Sequence, residues 1–285
     1  MKTYLDCIAC FIRQALDSAR LITDDKQIHR QIIQQTLDLV YDIDLHQSPP
    51  AIAQKMYRMI RKLTSVQDPY SQIKQHFNKL ALKMYPELRE RIKTSADPFE
   101  TAIRLAIAGN IIDFGINSVS EEPDIEKTIA ESLTAPLDMK LLEELKDAIT
   151  QAKNILYLGD NAGEIVFDRL LIEQLSYEKI TFVVKAGPII NDATAQDAQT
   201  TGLADIVTVI DNGSDAPGTI LDGCSAKFLH RFKEADLVIA KGQGNYETLN
   251  DIDKKIFFIL RAKCPVVAKE LGCEIGSLVL RKNRE

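Results

Sequence analysis

The chain has 285 residues, of which 45% are hydrophobic, and its formal net charge is −6. This length and hydrophobic fraction are typical of a globular protein with one large domain or two ordinary ones. The acidic balance argues against a protein that binds nucleic acid along its phosphate backbone, because such a protein needs a basic surface. No segment has the roughly 18 consecutive apolar residues of a membrane-spanning helix, so no membrane partner is predicted.

The first residues and the cysteines indicate where the protein works. Asp6 lies where a secretory signal peptide would have its apolar core, so we expect a cytoplasmic protein. Five thinly spread cysteines do not predict a disulfide framework in that reducing compartment. Cys7 and Cys10 form one Cys-x-x-Cys, which is half of a zinc-site signature that Cys264 or Cys273 would have to complete. The pair is therefore either the site of a second metal or two plain thiols.

Residues 1–150 are predicted to form an α-helical domain. Apolar residues recur there at helical spacing, and prolines separate the segments. One helix is unusually apolar over residues 102–114, but Asn110 and Asp113 interrupt it, three positions apart on one face. Such polar groups need partners if they are buried. They either bind substrate in a cleft between the two halves of the chain or form a stripe that meets water.

Residues 151–285 are predicted to form an α/β domain with a Rossmann-like, mostly parallel sheet flanked by helices. Short apolar and β-branched runs alternate there with helix-like segments, which is the pattern of strands buried between two helical layers. We predict strands at residues 155–158, 180–184, 206–210 and 237–240, and a fifth at 266–268. In such a sheet, ligands bind beyond the carboxyl ends of the strands.

Polar side chains follow three of these strands. Asp160 and Asn161 follow the first strand, and Asp192 comes shortly after the second. Their oxygen atoms are typical ligands of Mg²⁺ or Mn²⁺, whereas four scattered histidines do not predict a catalytic zinc. In the competing interpretation, Asp160 and Asn161 only cap the following helix. The presence of Asp192 and Lys241 at neighbouring strand ends favours the metal site.

Further residues near these strand ends are candidates for catalysis or substrate binding. Glu164 opens the helix after the first strand and either caps it or acts as a base on a water molecule. Lys241 lies in a glycine-flanked loop, where a lysine suits phosphate as a point charge, although most surface lysines are only solvated. Lys185 occupies a similar position after the second strand. Asn245 either contacts substrate or braces the loop.

Taken together, these motifs resemble the metal-dependent damage-control phosphatases, formerly domain-of-unknown-function family 89. The resemblance covers nearly the whole chain, and the Cys7-x-x-Cys10 version is similar to the stand-alone microbial branch. The matching segments are Cys7 to Cys10 and residues 108–114 (AGNIIDF), 159–168 (GDNAGEIVFD), 188–194 (PIINDAT) and 241–247 (KGQGNYE). The resemblance implies a helical amino-terminal part on a Rossmann-like core.

The resemblance also implies an activity and its cofactor. A divalent metal, which is manganese, magnesium, cobalt or nickel in different members, would be bound by Asp160, Asn161 and Asp192, and the Lys241 loop would help to hold phosphate. The implied substrates are phosphate esters of small metabolites, sugar- or nucleotide-like and including damaged ones. We expect the metal to polarise a phosphoryl oxygen and water, rather than Asp160, to attack, because no Asp-x-Asp-x-Thr motif is present.

Two other functions compete with this hypothesis. An S-adenosylmethionine-dependent methyltransferase would share the Rossmann-like core, but its first loop is normally richer in glycine than one filled by Asp160 and Asn161. A non-enzymatic module that senses a metal or a nucleotide would use the same strand ends. The motifs specify neither the physiological substrate, nor the preferred metal, nor the oligomeric state.

Overall fold

The computed structural model describes residues 1–110 and 125–283. The helices in these ranges are α1 (Asp6–Ile22), α2 (Lys26–Tyr41), α3 (Pro49–Thr64), α4 (Ser71–Thr94), α5 (Pro98–Gly109), α6 (Ile125–Thr134), α7 (Met139–Gln151), α8 (Glu164–Ile172), α9 (Ala195–Thr200), α10 (Ala226–Glu234), α11 (Gly242–Leu249) and α12 (Pro265–Leu271). The strands are β1 (Ile155–Leu158), β2 (Ile180–Val184), β3 (Thr208–Asp211), β4 (Leu237–Lys241), β5 (Ile256–Arg261) and β6 (Leu278–Lys282). No helix within these ranges is both long enough and apolar enough to cross a bilayer.

Several amino-terminal helices begin at aspartates that satisfy unpaired backbone N–H groups. Asp25, Asp97 and Asp138 accept hydrogen bonds of 2.8, 2.9 and 3.0 Å from N–H groups two or three residues later, as N-cap residues do. Helices α1 to α3 bury a separate cluster that includes Ile32 and Met56, together with Tyr70 and Ile189 from outside these helices. The helical character predicted for the amino-terminal half is confirmed.

The six strands form one sheet in the order β3-β2-β1-β4-β5-β6. Strands β1 to β5 are parallel, and β6 pairs antiparallel with β5. Leu158, near the end of β1, is in register with Val183 of β2 and Ala240 of β4, so these three strands end at the same edge. The predicted Rossmann-like, mostly parallel sheet is confirmed.

Both faces of the sheet are buried, which explains the continuous apolar runs of its strands. Tyr157 packs on one face with α8 and also with residues of α4, α5 and α7. Leu156 and Leu158 pack on the other face with α10, α11 and α12. The core of the sheet therefore includes helices from before residue 150, and the division into domains 1–150 and 151–285 stays a prediction.

The predicted fifth strand is wrong. Residues 266–268 lie in α12, which begins with Pro265 at its first position and Cys264 as its N-cap. A run of three apolar residues does not distinguish a strand from a helix, whereas the Pro at the start of a helix does. The fifth strand is instead Ile256–Arg261, which was missed, and the third begins at Thr208, two residues later than predicted.

Candidate active site

The candidate site lies between β1 and β4, where the chain stops adding strands to one side of β1 and starts adding them to the other. The chain proceeds outward from β1 to β2 and β3 on one side and, from β4, to β5 on the other. The crevice beyond the carboxyl ends of the two strands at such a switch point is the usual ligand site of an open α/β sheet. One residue, Gly159, separates Asp160 from the end of β1, and Gly242 directly follows β4.

Backbone pairing joins the loop after β1 to the loop after β2. Ala193 donates its N–H to the Asp160 carbonyl at 2.8 Å. Asn161 and Asp192 form an isolated antiparallel bridge. The three side chains that the sequence predicted as metal ligands are therefore held next to one another by main-chain bonds.

Asp160, Asn161 and Asp192 line one cavity of about 350 Å³. They are otherwise buried, with 8%, 2% and 4% of their surfaces exposed. Cavities of this size accommodate small ligands. The rest of the lining comes from α1, α3, α12 and the loops after the strands, and it includes the apolar side chains Phe11, Pro50, Ala53, Ile190, Pro217 and Val266.

The Asp160 carboxylate is held by two amides. Its Oδ2 accepts hydrogen bonds from Asn110 Nδ2 and Asn161 Nδ2, both at 3.0 Å. Asn161 Nδ2 also donates to Glu164 Oε2 at 2.9 Å. The nitrogen of Asn161 is thus directed at carboxylates, so Oδ1 is the atom of this side chain suited to a metal.

Helix α8 begins at Glu164, and its N-cap is Gly163, which makes no side-chain capping bond. The interpretation of Asp160 and Asn161 as caps of this helix is therefore wrong. Glu164 is the first helical residue rather than the cap. This leaves the two polar side chains after β1 available to the cavity.

Glu164 organises the residues behind the cavity. It is completely buried and accepts hydrogen bonds from Asn110 Nδ2 at 2.8 Å and Asn161 Nδ2 at 2.9 Å on one oxygen. Its other oxygen accepts from Lys241 Nζ at 2.6 Å. Glu164 does not line the cavity. Its contacts support an orienting role, and its assignment as a catalytic residue stays a prediction.

Lys241 is completely buried, and its ammonium group donates to three oxygen atoms. These are Glu164 Oε1 and Asp168 Oδ1, both at 2.6 Å, and the Ala106 carbonyl at 3.0 Å. Burial opposes the charged form, but the two carboxylates outweigh it and raise the pKa of Lys241 above its usual range. Because three donors are its full capacity, a phosphate would have to replace one of these oxygens. Phosphate binding by Lys241 stays a prediction.

Asp168 is one site residue that sequence analysis missed. Burial raises the pKa of Asp168, Lys241 opposes this rise and Glu164 adds to it, and the resulting pKa is about 6. The hydroxyl of Tyr157 donates to the same carboxylate oxygen at 2.8 Å. The signal was present in the sequence, because Glu164 and Asp168 lie one turn apart in a mostly apolar helix that is buried. Two acids on such a face require a cation, which is Lys241.

Asn110 is the C-cap of α5, and its side chain extends from the amino-terminal half into the site. It is completely buried, and its Nδ2 contacts both Asp160 and Glu164. Its Oδ1 is buried without a hydrogen-bond partner in the part of the chain that the structure describes. Asn110 is therefore not part of a stripe that meets water, and substrate binding by it stays a prediction. Asp113 lies outside the described residues.

Lys185 and Asn245 lie beside the site without lining the cavity. Lys185 Nζ donates to the Gly218 carbonyl and lies 3.5 Å from Asp192 Oδ2, so its charge opposes that of the carboxylate. Asn245 Nδ2 donates to the Lys241 carbonyl at 2.8 Å, which braces the loop. Substrate binding by either residue stays a prediction.

Three of the cysteines line the same cavity: Cys7, Cys10 and Cys264. Burial and the neighbouring thiols raise the pKa of Cys10 to about 11, so it is protonated at neutral pH. Across residues 1–110 and 125–283, no three or more His, Cys, Asp and Glu side chains form a group that could hold a metal. A second metal at Cys7 and Cys10 stays a prediction.

The main site fits a divalent metal through its donor chemistry. Two carboxylates, from Asp160 and Asp192, converge with one amide oxygen, from Asn161, and hard cations such as Mg²⁺ and Mn²⁺ prefer such an all-oxygen set. Because the set has only two carboxylates, the Asn161 amide oxygen is needed as its third protein ligand. The unpaired oxygen of Asn110 adds a further buried acceptor beside it.

Comparison with known proteins decides the family. A family model described as the damage-control phosphatase ARMT1-like domain matches residues 3–279. The chain belongs to this family. The resemblance drawn from its motifs is thereby confirmed, and the names of damage-control phosphatase relatives support a phosphatase role for the chain.

Full-length relatives come from three archaea. An uncharacterised protein of Methanocaldococcus jannaschii is 42% identical, covering 99% of this chain and 96% of its own. A damage-control phosphatase of Pyrococcus horikoshii is 36% identical, covering 100% and 99%. A damage-control phosphatase of Archaeoglobus fulgidus is 34% identical, covering 99% of both. The crystal structure of a family-89 protein from Pyrococcus horikoshii, 35% identical, superposes over 100% of both chains with a TM-score of 0.90.

Proposed function

We propose that this protein is a divalent-metal-dependent phosphatase that hydrolyses phosphate esters of small metabolites, sugar- or nucleotide-like and including damaged ones. The observation that carries the proposal is the convergence of Asp160, Asn161 and Asp192 on one cavity beyond the carboxyl edge of the sheet. A volume of about 350 Å³ suits a small phosphorylated metabolite, not a nucleic acid strand. Small molecules are therefore the proposed substrates.

The carboxylates of Asp160 and Asp192 and the Oδ1 atom of Asn161 would hold the metal, which is manganese, magnesium, cobalt or nickel. When bound, such a cation supplies Lewis-acid polarisation of a phosphoryl oxygen. The negative charges of Asp160 and Asp192 on the cavity wall would be offset by such a cation. Lys185 contributes further positive charge 3.5 Å from Asp192 Oδ2.

The chain's own residues orient these ligands. Lys241 neutralises Glu164, and Glu164 in turn fixes the amides of Asn110 and Asn161. Both amides then donate to Asp160. Such buried partners keep ligand atoms in place and typically change metal affinity 10- to 100-fold when they are removed.

We assign the attack to a water molecule rather than to Asp160. Asn110 and Asn161 both donate to Asp160 Oδ2, and a Cβ on Gly242 would lie 1.9 Å from the same oxygen, so the closely packed carboxylate has little freedom to approach phosphorus. The water oxygen forms a bond to phosphorus as the ester P–O bond breaks. The water loses a proton, and the departing alcohol oxygen gains one.

The test is phosphate release from an aryl phosphate with Mn²⁺, Mg²⁺, Co²⁺ and Ni²⁺ added separately. We expect Asp160→Ala and Asp192→Ala each to lose at least about 100-fold of the metal-stimulated rate, since ligand loss exceeds the effect of removing an orienting partner. Asp253→Ala, which changes an exposed acid outside the cavity, should leave the rate unchanged. A screen of phosphorylated metabolites with the best metal then addresses the substrate.

Two results would contradict this function. Full metal-stimulated activity in either ligand variant would contradict the site assignment. Absence of turnover with every metal, together with tight binding of S-adenosylmethionine in calorimetry, would favour the methyltransferase instead.

Elemental analysis of the purified protein addresses the second metal. Wild type and the double variant Cys7→Ser/Cys10→Ser are compared after identical purification. A metal present in wild type and in Asp160→Ala, but lost in the cysteine variant, would support binding at the thiols. Equal metal content in wild type and the cysteine variant identifies Cys7 and Cys10 as plain thiols.

A further inference from the structure

Asn78 on α4 lies between the two loops that bear the candidate metal ligands. Its side chain is 1% exposed. The Gly163 N–H donates to Asn78 Oδ1 at 2.7 Å, and Asn78 Nδ2 donates to Asp197 Oδ1 at 2.8 Å. One amide thus connects the start of α8 to the start of α9.

On the α9 side, the connection leads back to Asp192. Asp197 Oδ2 accepts a hydrogen bond of 2.9 Å from the N–H of Thr194, as part of a capping box, and a further one of 2.7 Å from the Thr194 hydroxyl. Thr194 is two residues after Asp192 and forms a bridge with Lys185. Hydrogen bonds therefore link Asn78 through Asp197 to Thr194, which lies in the same loop as Asp192.

On the α8 side, the connection leads to Asp160 and Asn161. Gly163 is two residues after Asn161, and α4 packs so closely that a Cβ on Gly163 would lie 2.9 Å from Phe77 Cβ. Helix α4 also approaches the other loop, because Lys74, one turn before Asn78, pairs with Asp68 at 2.7 Å and lies 3.9 Å from Asp197 Oδ2. The helix thus spans both loops.

We propose that Asn78 is a positioning residue that sets the separation between Asp192 and the Asp160–Asn161 pair, and through it the affinity for the metal. The proposal rests on the proposed metal-dependent function. Asn78 does not line the cavity, so it acts through Gly163 and Asp197 rather than on substrate.

The side-chain amide of Asn78 matches both neighbours. The Gly163 N–H needs an acceptor and the Asp197 carboxylate needs a donor, and an amide offers both in one planar group. An aspartate at position 78 keeps the acceptor but places a second carboxylate against Asp197. An apolar side chain leaves two buried polar groups unpaired, which costs about 1–3 kcal/mol for each.

Exchanging the two residues would reverse the direction of the hydrogen bond between positions 78 and 197, and this exchange provides the test. Asn78→Asp should raise the Mn²⁺ dissociation constant about 10-fold in calorimetry of the full chain, the effect typical of an orienting partner. The double variant Asn78→Asp/Asp197→Asn restores a donor–acceptor pair with its direction reversed, and its dissociation constant should return to within about threefold of wild type. Asn78→Ala removes both bonds without adding charge and should also weaken binding about 10-fold.

Asn283→Asp is the matched control. Asn283 is buried like Asn78, and its Nδ2 donates to backbone carbonyls, with the shortest bond of 2.8 Å to Ile252, away from the cavity. Its substitution should lower the melting temperature and leave the Mn²⁺ dissociation constant unchanged.

The outcomes separate this inference from the proposed function. Mn²⁺ binding by Asn78→Asp and Asn78→Ala with wild-type affinity, alongside a loss of thermal stability like that of Asn283→Asp, would show a structural role only and overturn the inference. Failure of the double variant to recover affinity would also overturn it. If wild type itself binds none of Mn²⁺, Mg²⁺, Co²⁺ and Ni²⁺, the proposed function and the inference both fail.

Discussion

Gly242 makes the closest backbone approach in the site. It follows β4 with a φ of +77°, and a Cβ at this position would lie 1.9 Å from Asp160 Oδ2. Only a residue without a side chain allows the backbone and the carboxylate to be so close. The glycine at this strand end therefore fixes where the Asp160 carboxylate can be.

The variant Gly242→Ala, which adds a single methyl group, tests whether this close approach positions the Asp160 carboxylate. We expect the added methyl to displace the Asp160 carboxylate, so that Mn²⁺ binding in calorimetry and metal-stimulated phosphate release both fall at least about 10-fold. The left-handed backbone adds about 1–2 kcal/mol of destabilisation.

Gly272→Ala separates the two effects. Gly272 has a φ of +69°, but a Cβ there would meet nothing within 4 Å. It should lose similar stability in urea denaturation and keep full metal binding. Equal metal affinity in the two variants would contradict the steric explanation.

At the scale of elements, helix α3 is fastened to the loop after β3 through Asp215. Its carboxylate accepts hydrogen bonds from Gln54 Nε2 at 2.8 Å and Arg58 Nη2 at 2.6 Å, and it pairs with Arg61. Burial alone would raise the pKa of Asp215, but the bonds from Arg58 and Gln54 hold it below its usual range. Arg61 also donates to the Pro188 carbonyl at 2.8 Å, so α3 contacts the loop that leads to Asp192.

Asp215→Asn should lower the free energy of unfolding by about 1–3 kcal/mol in urea at pH 7, since it weakens several charge-assisted bonds. Because the folded-state pKa of Asp215 is lowered, its contribution is present above the unfolded pKa of about 3.9 and is lost as pH falls through the folded pKa. The difference between wild type and variant should therefore shrink below about pH 4. Asp17→Asn breaks the exposed pair with Arg20 in α1 and should cost about 0–1 kcal/mol. Equal losses in the two variants would contradict the special role of Asp215.

Elements marked by a local sequence pattern could be predicted, whereas features that depend on residues distant in sequence could not. Strands β1 and β2 were predicted with correct bounds, because each is an apolar run between turn residues. Residues 266–268 are a short apolar run that fits either a strand or a helix, and Pro265 before them is the signal of a helix start. Pairing of β6 with β5 was not predictable, since strand partners depend on contacts distant in sequence.

For the site, the residues beyond the strand ends could be predicted, but not their partners. The rule that ligands bind at the carboxyl edge identified Asp160, Asn161 and Asp192, which the structure brings to one cavity. The same rule does not reveal that Lys241 turns inward to Glu164. Asn78 was also missed, because its two partners are 85 and 119 residues away in the chain.

At the scale of the whole molecule, the sheet and the amino-terminal helices share one core. Phe77 of α4, Leu105 of α5 and Leu145 of α7 belong to the buried cluster that also contains Tyr157 and Phe167. Phe167 lies so near Gly109 that a Cβ there would be 2.9 Å from it. The apolar face of α8 is therefore covered by residues from before the predicted boundary at 150.

The fragment 151–285, expressed alone, should consequently not reach a unique packed state. We expect it to bind a hydrophobic dye and to give poorly dispersed amide signals in NMR spectra, as chains that have lost specific packing do. The full-length chain under the same conditions is the control and should unfold in one cooperative step. Dispersed spectra and cooperative unfolding of the fragment would show instead that the α/β half is an autonomous domain.

The thiols around the cavity provide the protein with a built-in probe of ligand occupancy. Cys7, Cys10 and Cys264 sit on its wall, and burial raises the pKa of each. Alkylation proceeds through the thiolate, so these groups should be labelled slowly at neutral pH and faster as the solution becomes alkaline. Mass spectrometry of the labelled peptides, with and without a candidate phosphate ester, can then rank ligands by the protection that each one gives, before any turnover is detected.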